Sequence, residues 1–152
     1  MEPSKKIRQC FFVLLGIAVV VAVFHVSKWE SVPPQTLIVE ANGMKKEFSF
    51  AELPLSQVCG TQMTAKGEVR EIDAQGCLLK KILQESIGAS MHAEKVTVFA
   101  GDGFCAEVTA EEWEQPDQVY LILREDGLIQ LLVFGDSDSK RNVKDVERLV
   151  VE

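Results

Sequence analysis

Residues 78–88, LLKKILQESIG, decide the fold class. Leu78, Leu79, Ile82, Leu83 and Ile87 recur at helical spacing, opposite Lys80, Lys81, Gln84 and Glu85, and Gly88 follows where a helix often ends in a left-handed residue. The spacing predicts one amphipathic helix. A helix this short does not persist alone in water, so its apolar stripe needs a sheet to cover.

Strand signals lie on both sides of it. Residues 36–39 and 47–50 read as a hairpin through Asn42-Gly43, a dipeptide that tolerates positive φ, and residues 51–53 fit one helical turn before Pro54. Weaker extended signals cover residues 57–65 and 69–72. Beyond the helix, residues 95–100 and 104–109 flank Gly101-Asp102-Gly103, and residues 110–113 form a short acidic turn. Residues 119–123 and 128–134 flank Glu125-Asp126-Gly127, a second hairpin signal, and residues 143–151 read as a terminal strand. Strands dominate and one principal helix packs on them, the α+β pattern.

The first thirty residues have a different character. Lys5, Lys6 and Arg8 precede an uncharged apolar run at residues 10–26, which reaches the lower end of what spans a bilayer as a helix. Only Lys28 follows closely, so the positive-inside bias predicts a cytoplasmic N-terminus at residues 1–9, a transmembrane anchor at 10–26, a tether at 27–35 and an extracytoplasmic domain at 36–152 of the cell-surface membrane. A cleavable signal peptide is the competing reading, but the run ends in Val23-Phe24-His25-Val26-Ser27 without an A-x-A-like site. Cys10 stands at the cytoplasmic start of the run, where no lipoprotein cysteine would be. His25 and Trp29 fall at its outer end, where amphipathic rings settle.

Residues 30–152 carry 12 Lys and Arg against 22 Asp and Glu, a net −10. So acidic a domain repels phosphate backbones, which argues against nucleic acid as a partner and against close approach to anionic lipid headgroups. The expected partners are the membrane, through the anchor, and a membrane or extracytoplasmic protein. Cys59, Cys77 and Cys105 lie in the outer domain without C-x-x-C spacing, so three buried free thiols or one chance disulfide is the expectation.

Motifs for chemistry are sparse. Gly101-Asp102-Gly103-Phe104-Cys105-Ala106 fits G-x-G-x-x-A after a strand, but Glu107-Val108-Thr109 continues as a strand where a dinucleotide site requires a helix N-terminus. Asp136, Asp138 and Glu147 occupy positions 1, 3 and 12 of a calcium loop, yet Lys140 and Arg141 stand where an oxygen ligand and a turn glycine are needed. His92 is the domain's single histidine and falls in a loop; no G-x-S-x-G elbow accompanies it. Glu111, Glu112 and Glu114 beside Trp113 read as a solvated acidic face.

The order of segments is more informative than any one motif. Residues 36–53, TLIVEANGMKKEFSFAEL, resemble the opening hairpin and turn of the molybdopterin-binding domain of sulfite-oxidase-type oxidoreductases. Gly76-Cys77-Leu78-Leu79-Lys80-Lys81-Ile82-Leu83 resembles that family's Gly-x-x-Leu-x-x-Leu-Leu helix start, and residues 96–113, VTVFAGDGFCAEVTAEEW, its strand, Asp-Gly-aromatic turn, strand and acidic turn. Residues 119–135 and Asn142-Val143-Lys144-Asp145-Val146 are similar to its later segments. The resemblance implies a mixed sheet with one principal helix and, in catalytic members, molybdenum held by a pyranopterin dithiolene and one cysteine thiolate, a soft ligand suited to such a metal. It makes Cys59 the candidate metal ligand, and Lys140, Arg141 and Lys144 are the obvious cations for the cofactor phosphate. The chain departs from the family where Leu128-Ile129-Gln130 replaces Pro-Leu-Arg and Phe134-Gly135 replaces Pro-Gly, and tether and anchor stand where the family has a cofactor-enclosing segment. The sequence thus favours a membrane-anchored binding or assembly module. A true molybdenum oxidoreductase using Cys59 and a structural tether without ligand are the other two readings.

Overall fold

The computed structural model describes residues 35–88, 92–137 and 139–152. The expected anchor at 10–26, its flank at 1–9 and all of the tether except Gln35 lie outside the described residues. Among the described residues no helix is long and apolar enough to cross a membrane.

The strands are β1 (Thr36–Ala41), β2 (Met44–Ser49), β3 (Ser56–Met63), β4 (Val69–Leu78), β5 (Lys95–Ala100), β6 (Cys105–Thr109), β7 (Val119–Leu123), β8 (Ile129–Val133) and β9 (Val146–Val151). The main helix α1 (Leu79–Ile87) follows β4 with no loop, and a single turn α2 (Ala110–Trp113) follows β6. The domain is α+β, but its strands form two sheets where one mixed sheet was expected. The first is mixed, in the order β2-β1-β9-β5-β6 with β1 and β9 parallel, and the second is antiparallel, in the order β3-β4-β7-β8.

Three hairpins share one turn. Thr64 N–H donates to Glu68 O at 2.7 Å and Gly67 N–H to Thr64 O at 2.9 Å; Ala100, Gly103 and Phe104 repeat the pattern, as do Arg124, Gly127 and Leu128. Gly67, Gly103 and Gly127 have φ of 80°, 89° and 81°, the left-handed residue of a three-residue loop with a G1 bulge. The N–H of the residue after each glycine is bonded by a side chain: Thr64 Oγ1, Asp102 Oδ1 and Asp126 Oδ1 accept from Glu68, Phe104 and Leu128. The Gly101-Asp102-Gly103 segment is thus a hairpin turn between β5 and β6. The Asn42-Gly43 turn is the two-residue kind, with Ala41 opposite Met44 and both turn residues at positive φ.

One core fills the space between the sheets. Leu37, Val98, Val108 and Leu149 of the first sheet meet Cys77, Leu121 and Leu131 of the second, and Leu79, Ile82 and Leu83 of α1 close it. The helix touches β1, β4 and β7 and so ties the sheets together. Its end is as the sequence predicts, with Gly88 at φ 96° donating to Gln84 O, and Lys46 Nζ donates to Glu85 O, a cation at the negative end of the helix.

Three strands differ from expectation. β2 begins at Met44, three residues before Glu47, because it pairs with β1 right up to the Asn42-Gly43 turn, and Phe50 leaves it for the following single turn. β4 runs to Leu78, far past residue 72, because β3 and β7 pair with Gln75 and Gly76 on both sides; pairing overrides the weak local preference of Asp73-Ala74-Gln75-Gly76. The terminal strand begins at Val146 because Asp145 turns the chain at φ 59°. Val143 O accepts from Leu131 N and Lys144 bridges Gln130, so residues 143–144 extend the second sheet while β9 enters the first.

The outer face of the second sheet has its own small cluster, Val58, Ile72, Tyr120, Ile122 and Leu132. The sheet coils until Phe134 lies over Gly60, where a Cβ would stand 2.6 Å from the ring.

Candidate functional site

Of the three basic residues assigned to a cofactor phosphate, Arg141 is already occupied. Its guanidinium donates to both Asp136 oxygens, pairs with Glu112 Oε1 at 2.7 Å and caps Glu107 O of β6 at 3.3 Å. Two carboxylates neutralise one cation, and the Arg141 pKa is raised further by them. Lys140 is exposed and has an interaction of its own, and Lys144 is exposed at its bridge to Gln130. Glu112 therefore departs from the solvated face expected of it. It pairs with Arg141, caps α2 by accepting from Thr109 N–H at 2.9 Å, and is held below the usual carboxylate range by Arg141 first and Thr109 next, against desolvation. Asp136 is committed to Arg141 as well, while Asp138 of the calcium-loop pattern lies outside the described residues.

Cys59 is exposed on β3, directly across from Asp73 of β4. Its Sγ donates to Asp73 Oδ1 at 3.6 Å, Gln57 Nε2 donates to the same oxygen, and Gln75 Nε2 donates to Gln57 Oε1. Desolvation and then the Asp73 carboxylate raise the Cys59 pKa, the reverse of what a thiolate ligand requires. The adjacent depression is lined by Ser56, Gly60, Asp117, Tyr120 and Phe134 and includes none of Lys140, Arg141 and Lys144. There Tyr120 O–H donates to Asp117 Oδ1 at 2.8 Å, and desolvation and then Asp117 push its pKa up to about 12. The other two thiols are also free, but only Cys77 is buried; Cys105 and Cys59 are exposed, which corrects the expectation of three buried thiols. His92 is exposed, as read from the sequence. Among the described residues no three His, Cys, Asp or Glu side chains converge on a metal position.

A molybdenum–pterin group requires a thiolate and uncommitted cations. Here the thiol hydrogen-bonds to a carboxylate, and the central cation of the basic loop is bound by two carboxylates. These residues do not fit that group.

A second place was not singled out in the sequence. Arg70, Ile72, Asp73 and Ala74 of β4 and Ile122, Arg124, Asp126 and Gln130 around the β7–β8 turn line a recess of about 530 Å³. Arg124 donates to Asp126 through Nε at 3.2 Å and Nη2 at 2.8 Å, and its Nη1 reaches Gln130 Oε1 at 3.4 Å. Desolvation opposes ionisation of Asp126, but the Leu128 N–H and Arg124 outweigh it and the pKa is lowered. Where Gln130 leaves the chain without an arginine on β8, a cation thus arrives from the end of β7. Local sequence hides this because the two residues meet across the hairpin.

No protein-family model matches the chain, and no curated protein is significantly similar to it.

Proposed function

We propose that residues 36–152 are a non-catalytic binding or assembly module of sulfite-oxidase-type architecture, held outside the membrane by an anchor at residues 10–26. The observation that carries the non-catalytic reading is the commitment of Arg141 to Asp136 and Glu112. An arginine so bound offers little to a pterin phosphate, and the Asp73 carboxylate beside Cys59 disfavours the thiolate. The collinear order of hairpin, helix, Asp-Gly turn and terminal strand supports the architecture, and Lys5, Lys6 and Arg8 before the apolar run support the anchor.

The test is the metal content of the full chain purified from a host that makes the molybdenum cofactor. The expected result is molybdenum far below one equivalent, with content and folding indifferent to Cys59→Ser. Stoichiometric molybdenum that disappears in Cys59→Ser would establish the oxidoreductase instead. Protease added to intact cells should digest the domain, and N-terminal sequencing should find Met1; a mature N-terminus between Phe24 and Glu30 would replace the anchor by a signal peptide.

A further inference from the structure

β4 has ten residues, yet β7 pairs only with its last four, Gln75 to Leu78. β3 pairs with the rest from one side, Met63 opposite Val69 through Ser56 opposite Gly76. Among the described residues, 69–74 therefore have a neighbouring strand on one edge alone.

The direction of their backbone groups follows from the ladder. Hydrogen-bonded pairs alternate along an antiparallel pair, and the Thr64–Glu68 bond fixes the phase, so even-numbered residues of β4 bond to β3 and odd-numbered ones face the other way. The far edge agrees, since the odd residues Gln75 and Cys77 stand opposite Leu123 and Leu121 of β7. The next odd residues, Asp73, Glu71 and Val69, direct N–H and C=O groups toward the recess, where no backbone partner meets them among the described residues. β7 would have covered them, but at Leu123 its chain turns away through Glu125-Asp126-Gly127.

Other edges are guarded differently. Arg141 caps Glu107 O on β6, and β2 carries Lys45, Lys46 and Glu47. Among the described residues the outer edge of β3 has no partner strand and carries no charge, whereas the gap beside β4 is walled by the β7–β8 turn. Its lining is acidic, with Glu71, Asp73, Glu125 and Asp126 against Arg70 and Arg124, and Arg124 already holds Asp126. The −10 charge of residues 30–152 acts in the same sense and opposes a second copy of the chain as occupant.

We infer that this recess binds an extended basic peptide segment of another protein, added as a strand antiparallel to β4 along the track that β7 leaves at Leu123. Main-chain bonds to Glu71 and Asp73 give affinity, as in other strand additions. Residues directly opposite one another share a sheet face, so cations of the peptide sit beside Glu71 and Asp73 while the alternate, apolar side chains lie on the face of Ile72 and Ala74. The inference rests on the binding-module reading and supplies the chemistry of its partner.

The probe is a blocked heptapeptide of alternating lysine and valine, titrated into the full chain with amide exchange as readout. In the free protein the amides of Ile72 and Ala74 should exchange slowly and those of Glu71 and Asp73 fast, and the peptide should slow the latter two. N-methylation of its lysines, whose amides face β4, should abolish binding, whereas N-methylation of its valines should leave it. Glu71→Pro removes a donor directed into the recess and spares the β3 ladder, so it should retain the melting temperature and weaken binding about tenfold. Glu71→Lys should weaken it too, and a glutamate–valine peptide should not bind. Equal binding of the two N-methylated peptides, or slow exchange at Glu71 and Asp73 without peptide, would overturn the inference. Its failure is separable from that of the non-catalytic reading: stoichiometric molybdenum with protected Glu71 and Asp73 refutes only the latter, and a metal-free chain without protection refutes only strand addition.

Discussion

Arg141→Ala distinguishes a cation that holds the fold from one kept for a ligand. The guanidinium joins three pieces of chain: Asp136 in the loop after β8, Glu112 in α2 and the Glu107 carbonyl on the edge of β6. Side-chain exposure is 34% for Arg141, 24% for Glu112 and 20% for Asp136, so the network is neither open nor dry. Exposed pairs contribute about 0–1 kcal/mol and breaking a buried one costs about 3–5 kcal/mol. The half-buried fork lies between, which gives about 2–3 kcal/mol for Arg141→Ala, or about 10 °C in melting temperature for a domain this size. Arg141→Lys should recover only part, because a single ammonium cannot reproduce the fork. Glu112 adds a pH signature: its folded pKa lies below its ordinary 4.5, so its contribution is full above that pH and is lost as the pH falls through the folded value. Urea denaturation of the full chain at pH 7 and at pH values stepping down below 4.5 reads both effects, and the acid-dependent loss should shrink in Arg141→Ala. A change under about 0.5 kcal/mol with an unaltered acid limb would return Arg141 to the ligand-binding candidates and refute the argument.

Leu83→Asp should bury an unpaired carboxylate in the main core and cost several kcal/mol, whereas Lys80→Asp should cost about 1 kcal/mol through its exposed pair with Glu114; equal melting temperatures would mean that the helix faces are misassigned. Gly76→Ala should destabilise by about 2–3 kcal/mol, since its Cβ would stand 2.8 Å from both Leu121 O and Ile122 Cγ2 and the carbonyl belongs to a paired strand; a neutral effect in thermal melts would contradict that packing. Asp73→Asn removes one of the causes that raise the Cys59 pKa, so alkylation of Cys59 near pH 8 should accelerate relative to the parent protein. Unchanged kinetics, followed by mass spectrometry, would exclude control of the thiol by Asp73.

What was legible in the sequence is what short stretches determine by themselves. The stripe Leu79, Ile82, Leu83 predicts the helix because its periodicity is local, and Gly103 and Gly127 mark hairpins because their turns close within five residues. The partners of Arg141 were hidden for the opposite reason. Lys140, Arg141 and Lys144 form a basic patch along the chain, while the carboxylate that neutralises Arg141 from α2 arrives only when β6 and the loop after β8 come together. Gln130 and Arg124 likewise meet across a hairpin, and β4 outruns its propensity because two neighbours pair with it. The recess lies between these cases. Thr64-Ala65-Lys66-Gly67-Glu68 closes the same turn as the other two hairpins, with Thr64 supplying the side-chain acceptor that Asp102 and Asp126 provide elsewhere. That turn fixes the phase of β4 and hence the outward direction of the Glu71 and Asp73 backbone, a property written in residues 64–68. That no other described strand covers those groups is written elsewhere, in the Glu125-Asp126-Gly127 turn that diverts β7 after Leu123. The open edge therefore belongs to the register between two turns, each readable alone, whose combination exists only in the folded sheet.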